Sequence, residues 1–393
     1  MAGGGLMQLV AYGAQDLYLT HEPQITFFKV VYRRHTNFAV ESIEQTISGT
    51  VAANADVDVQ ISRNGDLVNN ILLELTVSPD SSGTTQTVHT GAGFSAINEV
   101  QLQIGGQEID KQYGHWMMAW HELTASANMR VVGAAMWDRP DDESSNVKLY
   151  VPLMFWFCRD NGLALPLIAL QYHPVNLKIK FSSATATGMG GLNLQGAKCY
   201  VDYVFLDTDE RKKFAQTKHE YLIEQVQQFT QQVNSNGGQA TKADLIFNHP
   251  VKELVWFIPP KIINDGSASG EDENDDFNNY DDFLNGGSAT LRLNNTLRFK
   301  ERAGKYFDRV QVYQHHTGQG KAGLYVYSFA LNPEKHQPSG SCNFSRIDSA
   351  ILEMKSGDSW TQSYSSQTSV HVYAHNYNVL RIMSGMGGLA YSN

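Results

Sequence analysis

The sequence predicts an all-β chain built as two sandwich-like units. Three observations carry that expectation. The chain has 393 residues, and one hydrophobic core stops growing near roughly 250–300. Short β-type segments recur along its length, with turn residues between them. The strand–helix alternation that builds a parallel α/β sheet is missing.

The elements follow in order. Val57–Ile61 (VDVQI) alternates apolar and polar residues, the period of a half-buried strand. Ile71–Val77, Ile97–Ile104, Val175–Phe181 and Lys198–Leu206 are short runs rich in β-branched and aromatic residues. The same style returns in Val251–Ile258, Ala289–Leu293, Arg309–Tyr313, Gly323–Leu331, Ser349–Met354 and Ser369–Tyr377. Asn64-Gly65, Gly105-Gly106, Asn161-Gly162, Asp265-Gly266 and Gly286-Gly287 punctuate the runs as turns. Helical patterns are few: Trp116–Ala127, and a charged stretch over Asp209–Gln227 that lies between the two strand sets and reads as their connection, near residues 208–222. The halves share a plan. Leu149–Phe181 and Tyr325–Met354 each run from an aromatic strand through a proline-bearing loop to another strand.

Composition narrows the function. Apolar residues make up 42% and charged residues 18%, against roughly 25% charged in an average globular chain. Low charge suits a surface covered by other copies, and equally a β-rich chain with many Asn, Gln, Ser and Thr. The net charge is −10, and residues 1–28 contain no Lys or Arg. A basic arm for gripping phosphates is therefore absent from that stretch, and no direct nucleic-acid binding is expected. Cys158, Cys199 and Cys342 are too few and too widely spaced for a disulfide framework or a zinc site, which fits a reducing compartment. The opening MAGGGLMQLVAYGAQ lacks the charged and apolar regions of a secretory signal. The apolar runs Val151–Cys158 and Gly162–Leu170 are separated by Arg159 and Asp160 and interrupted by two prolines. Neither reaches the roughly 20 residues of a membrane helix.

Catalytic patterns fail one by one. His121-Glu122 begins like a zinc-protease helix, but Ala125 stands where the second His belongs. His115 and His121, set among Trp116, Met117, Met118 and Trp120, read as packing residues. Gly91-Ala92-Gly93 lacks the strand–turn–helix setting of a dinucleotide loop. His315-His316, in a polar Gly-rich stretch, reads as a solvated pair. Residues 264–287 form a long acidic loop, read as a solvated excursion with calcium binding as the alternative; the run lacks the Gly that a helix–loop–helix calcium site needs at its sixth position. Asn294 (NNT) and Asn343 (NFS) are the candidate glycosylation positions, read as incidental. No enzyme, cofactor or metal site is expected.

One stretch is distinctive. Leu9–Val31 (LVAYGAQDLYLTHEPQITFFKVV), continued by Tyr32 to Phe38 (YRRHTNF), closely resembles the opening of the major capsid proteins of nucleocytoplasmic large DNA viruses, a group that includes chloroviruses, iridoviruses and giant amoebal viruses. Gly105–Gln112 (GGQEIDKQ) with Tyr113-Gly114, Asp207–Gln227, Asn332–Asp348 (NPEKHQPSGSCNFSRID) and Asn378–Tyr391 are similar to the family's pattern in the same order. The resemblance implies a double jelly roll of two eight-stranded antiparallel sandwiches with short helices in loops and at the link. Its divisions would be an N-terminal arm over 1–25, a first jelly roll over 26–208, a linker over 209–222 and a second jelly roll over 223–393. It further implies a homotrimeric, pseudo-hexagonal capsomer that tiles an icosahedral shell. The implied partners are neighbouring capsomers, penton and minor capsid proteins beneath the shell, and a nearby internal viral membrane. The place would be the outer shell of the virion, and the host cytoplasm during assembly. The arm is expected to run extended beneath the capsomer, and the Pro338–Arg346 segment to set a turn before a strand. A carbohydrate-binding β-sandwich, a sandwich hydrolase with a buried acid pair, and a minor capsid or penton protein are the competing readings.

Overall fold

The computed structural model describes residues 3–25, 28, 30, 32–79, 90–138, 146–183, 192–233, 238–259, 280–358, 360 and 369–391. The chain divides into two compact units, Met1–Asn37 and Phe38–Asn393.

In the first unit the stretch expected to be extended contains two short helices, Gly4–Val10 and Leu17–Thr20. Asp16 organises the turn between them. Its carboxylate accepts the Gly13 N–H at 2.8 Å, and its carbonyl accepts the Thr20 hydroxyl at 2.8 Å. Such local hydrogen bonds draw the backbone out of the extended form. Leu6, Leu9, Val10, Tyr18 and Leu19 are exposed.

Among the described residues the second unit contains four antiparallel sheets, two in each half. In the first half one sheet runs in the order Phe38–Gln45, Leu192–Leu206, Leu67–Pro79, Val147–Pro152. The facing sheet runs Ile47–Ser48, Asp56–Ile61, Val175–Phe181, Ile97–Ile104, Gln107–Tyr113. The second half repeats the arrangement. Its sheets run His219–Gln232, Ser369–Met383, Pro250–Phe257, Tyr325–Ser328, and Ala240–Asp244, Ala350–Lys355, Ser288–Leu293, Thr296–Ala303. Even the minor strands correspond: Leu165–Pro166 pairs with Leu67–Pro79 as Cys342–Asn343 pairs with Pro250–Phe257. The eight principal strands of the second half thus have counterparts in the same spatial order in the first, which adds the short Ile47–Ser48; the fold is a double jelly roll.

Period-two burial explains the sandwiches. Val57, Val59 and Ile61 point inward from one sheet, as do Val175, Leu177, Ile179 and Phe181. Ile71, Leu73, Leu75 and Val77 meet them from the other. A second core forms around Leu254, Trp256, Leu291, Leu352 and Val372. The equivalent hairpins also share turn chemistry. Gly105-Gly106 (φ +61° and +84°) and Asn294-Asn295 (φ +48° and +63°) both take left-handed conformations, as a two-residue hairpin turn requires.

Three expectations are corrected. Arg309–Tyr313 is not a strand: Tyr306–Val310 is a π turn and Gln311–His315 an α-helix. Phe307, Asp308, Gln311 and Val312 are the buried positions, a helical spacing that the Val310/Val312 alternation concealed. The helical pattern over Asp209–Gln227 is half right. A helix covers Thr208–Gln216, capped by Asp207, and a strand begins at His219. That strand pairs over its full length with Ser369–Met383, so pairing overrides the helix-favouring Glu and Gln content. A second helix, Ala127–Trp137, follows Gly114–Thr124 and was not anticipated. Within the acidic stretch, residues 264–279 lie outside the described residues, and with them most of the calcium alternative. Tyr280, Phe283 and Leu284, in its last part, are buried.

Candidate functional site

The two sandwiches meet along a seam, and the seam is where the buried chemistry lies. The first half supplies strand Gln107–Tyr113, helix Gly114–Thr124 and the turn carrying Arg159. The second half supplies strands His219–Gln232 and Ser369–Met383.

Helix Gly114–Thr124 is buried over eight of its eleven residues, Glu122 among them. Met117 and Met118 enter the first core. Trp116, Ala119, Trp120 and Leu123, spaced i, i+3, i+4 and i+7, form a third cluster with Val226, Val255, Phe257 and Tyr373 of the second half. Ring centroids lie 5.4 Å apart for Trp116–Tyr373, 5.9 Å for Tyr113–Tyr373 and 4.8 Å for Trp120–His375.

The seam is also hydrogen-bonded. The Val226 N–H donates to Asp110 Oδ1 at 3.1 Å, Gln112 Nε2 donates to Asp110 Oδ2 at 2.7 Å, and Gln225 Nε2 donates to the Ile109 carbonyl. Burial pushes the Asp110 carboxyl up to about 6 even though these donors favour its charged form. The C-terminal hairpin, Ser369–Met383 with Met386–Leu389, reaches back to the first sandwich. Tyr172 N–H donates to Gly385 O at 2.9 Å, and Leu380 and Ile382 join the first core.

At the centre lies a buried network of charges. Glu224 Oε2 accepts from Arg159 at 2.8 Å and contacts His375 Nε2 at 3.1 Å. Its Oε1 accepts from Lys252 Nζ at 2.7 Å. His375 Nδ1 lies 3.1 Å from Glu253, which also meets His316 Nε2 at 3.0 Å; His316 Nδ1 lies 3.2 Å from Glu334. The side chains of Lys252, Glu253, His316 and His375 are all 0% exposed. Burial opposes the charge on Glu224, but His336 at 3.6 Å, the close contact with His375 and the Arg159 charge hold its carboxyl well below the usual range. Glu253 is likewise held low against burial, by His316 and His375. Burial pulls the Lys252 ammonium down despite Glu224. His316 is held up at about 9, because Glu253 and Glu334 outweigh its desolvation. A cavity of about 430 Å³ opens beside the network, lined in part by Trp156, Arg159, Glu224, Glu334 and His336.

His316 therefore corrects the reading of His315-His316 as a solvated pair; only His315 is at the surface, its Nδ1–H donating to the Leu331 carbonyl across 3.0 Å. His115 and His121 pack as expected. Burial pulls His115 down to about 3, with His371 edge-on at 6.0 Å, and His121 stacks edge-on against Trp137 at 4.6 Å. Asn294 and Asn343 are exposed, and their side chains bind local backbone: the Asn294 side-chain oxygen accepts the Asp348 and Ser349 N–H groups, and that of Asn343 accepts the Ser345 N–H. The bend before strand Ala350–Lys355 uses Gly340 at φ +140°. Among the described residues no group of three His, Cys, Asp or Glu is placed to hold a metal ion. The network itself was missed. Its signals were charges inside apolar runs: Lys252-Glu253 in PVKELVWF, Glu224 in LIEQV, and Arg159 after VPLMFWFC.

Two like jelly rolls locked by an apolar, charge-centred seam define a structural protein of the double jelly-roll capsid class. Residues 26–207 match the family described as "Major capsid protein N-terminus", and residues 210–388 the family described as "Large eukaryotic DNA virus major capsid protein". The chain is 48% identical over 425 residues to the major capsid protein of Pyramimonas orientalis virus, covering 100% of both chains. It is 43% identical over 443 residues to that of Paramecium bursaria Chlorella virus 1, covering 99% of this chain and 100% of that one. A solved structure of the PBCV-1 virus capsid superposes with a TM-score of 0.82 at 39% identity, over 94% of this chain and 100% of that one. The Faustovirus major capsid protein shares the fold, with a TM-score of 0.73 at 12% identity over 96% of each chain. The chain belongs to the major capsid proteins of the large eukaryotic DNA viruses. It is a structural component of the virion shell, and its relatives are capsid proteins rather than enzymes.

Proposed function

We propose that three copies of this chain close into a pseudo-hexagonal capsomer that tiles an icosahedral shell. The observation that carries the reading is the repeated strand order: two like sandwiches per chain make six similar units in a trimer. A three-fold object can then occupy a site with six neighbours. The divisions of the chain follow as 1–25 for an arm, 26–208 and 223–393 for the two jelly rolls and 209–222 for the link. Neighbouring capsomers, penton and minor capsid proteins, and an internal viral membrane are the partners, with assembly in the host cytoplasm. The net charge of −10 supports a shell that does not grip nucleic acid. Asn294 and Asn343 remain exposed acceptor positions.

Negative-stain electron microscopy of the purified chain tests the reading: hexagonal outlines are expected, and fields of single two-lobed particles would defeat it. Deleting residues 2–20 is expected to leave trimers intact while impairing shell assembly. Normal shells from the truncated chain would remove the arm from the mechanism.

A further inference from the structure

Two equivalent connections of the sandwiches meet beside the charged network. In each half a long connection crosses from one sheet to the other. Residues 153–174 join Val147–Pro152 to Val175–Phe181, and residues 329–349 join Tyr325–Ser328 to Ala350–Lys355. The cavity of about 430 Å³ is lined by both: Trp156, Arg159, Asp160 and Leu163 come from the first, and Glu334, Lys335 and His336 from the second, with Glu224 beside them. That volume lies within the roughly 300–1,000 Å³ of small-ligand sites.

The lining fixes what the cavity can hold. Arg159 is held on three sides: Nε donates to the Met154 carbonyl at 3.1 Å, Nη1 donates to Glu224 at 2.8 Å, and the guanidinium stands 4.6 Å from the Trp120 ring centroid. The carboxylates are already engaged. Glu224 accepts from Arg159 and Lys252. Glu334 Oε1 accepts the Thr317 N–H at 2.8 Å, and its Oε2 accepts the Thr317 hydroxyl at 2.9 Å. Asp160 Oδ1 accepts the Gly162 N–H at 2.8 Å. Donors, in contrast, are in surplus. Among the described residues no hydrogen bond uses Arg159 Nη2 or the ammonium of Lys335, an exposed residue. Buried Trp156 and half-buried Leu163 add an apolar wall. Spare N–H donors beside spent acceptors call for an acceptor-only group, and an ionised carboxylate is one. The apolar wall calls for a short aliphatic stem behind it.

The geometry points to a carboxylate-binding site in this cavity, where Arg159 Nη2 and Lys335 hold the carboxylate while Trp156 and Leu163 pack its stem. An acidic side chain on a segment of another protein and a free short-chain carboxylate share this chemistry. Because the lining comes from both sandwiches, an occupant ties one to the other. The site belongs to the single chain and does not depend on how many copies associate.

Saturation-transfer NMR titration of the full-length chain tests the assignment. The probes are butyrate against butyramide, and acetyl-Ala-Glu-Ala-amide against acetyl-Ala-Gln-Ala-amide. Each acid is expected to bind at least roughly 10-fold tighter than its neutral partner. Arg159→Lys keeps a cation for Glu224 but lacks the second terminal nitrogen, and is expected to weaken the acids by roughly 10-fold. Lys335→Ala, at an exposed position that carries no fold contact through its ammonium, is expected to weaken them by about 3-fold. A glutamate peptide that binds far tighter than butyrate assigns the occupant to a protein segment, and equal affinities assign it to a free carboxylate; either result upholds the site. Acids that bind no better than the amides, or that bind the Lys335→Ala and Arg159→Lys chains as tightly as the parent, would overturn it. Inorganic phosphate binding more tightly than either acid would overturn the choice of carboxylate.

Discussion

Glu224→Gln is the sharpest probe of the seam. The substitution keeps side-chain volume, so no cavity term enters. It removes the one anion that meets both Arg159 at 2.8 Å and Lys252 at 2.7 Å. The new amide can accept from only one of these donors, and its NH2 group faces the other. Lys252, 0% exposed, keeps a buried charge with its nearest counter-charge gone. Removing one member of a buried pair costs about 3–5 kcal/mol. Unfolding entropy for a chain of this length is roughly 0.8 kcal/mol/K, so the melting temperature is expected to fall by about 4–6 °C. Denaturant titration at fixed chain concentration is the assay, because association contributes to apparent stability. The pH dependence adds a signature. The Lys252 pKa is lowered by burial, so the folded state holds fewer protons than the unfolded one. Stability therefore rises with pH between the folded value and the ordinary lysine value. Without Glu224 the Lys252 pKa falls further, so the penalty is expected to shrink from pH 7 to pH 10. Adding Lys252→Met is expected to recover much of the loss. A Glu224→Gln chain within 1 kcal/mol of the parent at pH 7 would refute the coupling argued from these distances.

Two further outcomes follow from the same seam. The His316 pKa, raised to about 9 in the fold, sits above its ordinary value, so its contribution is complete below about pH 6.5 and is lost as pH rises through about 9. His316→Asn is expected to cost roughly 3 kcal/mol at pH 6 and much less at pH 10; a pH-independent difference in denaturation midpoints would contradict the assignment. Gly318→Ala would drive a Cβ to 2.3 Å from Glu122 O and 2.4 Å from Leu123 O, both backbone atoms on the seam helix, and is expected to cost about 1–3 kcal/mol. Gly196→Ala, with nothing within 4 Å of its Cβ, is the calorimetric control and is expected to match the parent chain.

Local pattern was enough where a strand is half-buried and flanked by turns. Ile97–Ile104 and Val175–Phe181 were legible to the residue because alternation and the Gly105-Gly106 turn agree on one register. It failed where tertiary pairing decides. His219–Gln232 is rich in Glu and Gln and becomes a strand because fourteen residues find partners on Ser369–Met383. The reverse error at Arg309–Tyr313 came from two valines in alternation where the buried positions, Phe307, Asp308, Gln311 and Val312, are spaced for a helix. The charge network was illegible for a different reason. Glu224, Lys252 and His375 lie on three strands that are neighbours only in the jelly-roll order, and Arg159 comes from the other sandwich. No window of sequence contains them together.

Rings and polar groups do different work in the seam. Tryptophan and tyrosine packing alone would hold the two sandwiches together over a range of small rotations, because ring contacts near 5 Å are tolerant of offset. The charges are not tolerant. Arg159 must reach Glu224, Asp110 must reach the Val226 N–H, and Gln225 must reach the Ile109 carbonyl, all at once across the seam. A shift of one residue between the sandwiches would separate Arg159, Asp110 and Gln225 from these partners, and a buried polar group left unpaired costs several kcal/mol. The seam is therefore satisfied in one relative placement of the two jelly rolls. For a shell protein that placement matters more than the binding strength of the seam, since the angle between the two halves of one chain sets the directions in which it can meet its neighbours.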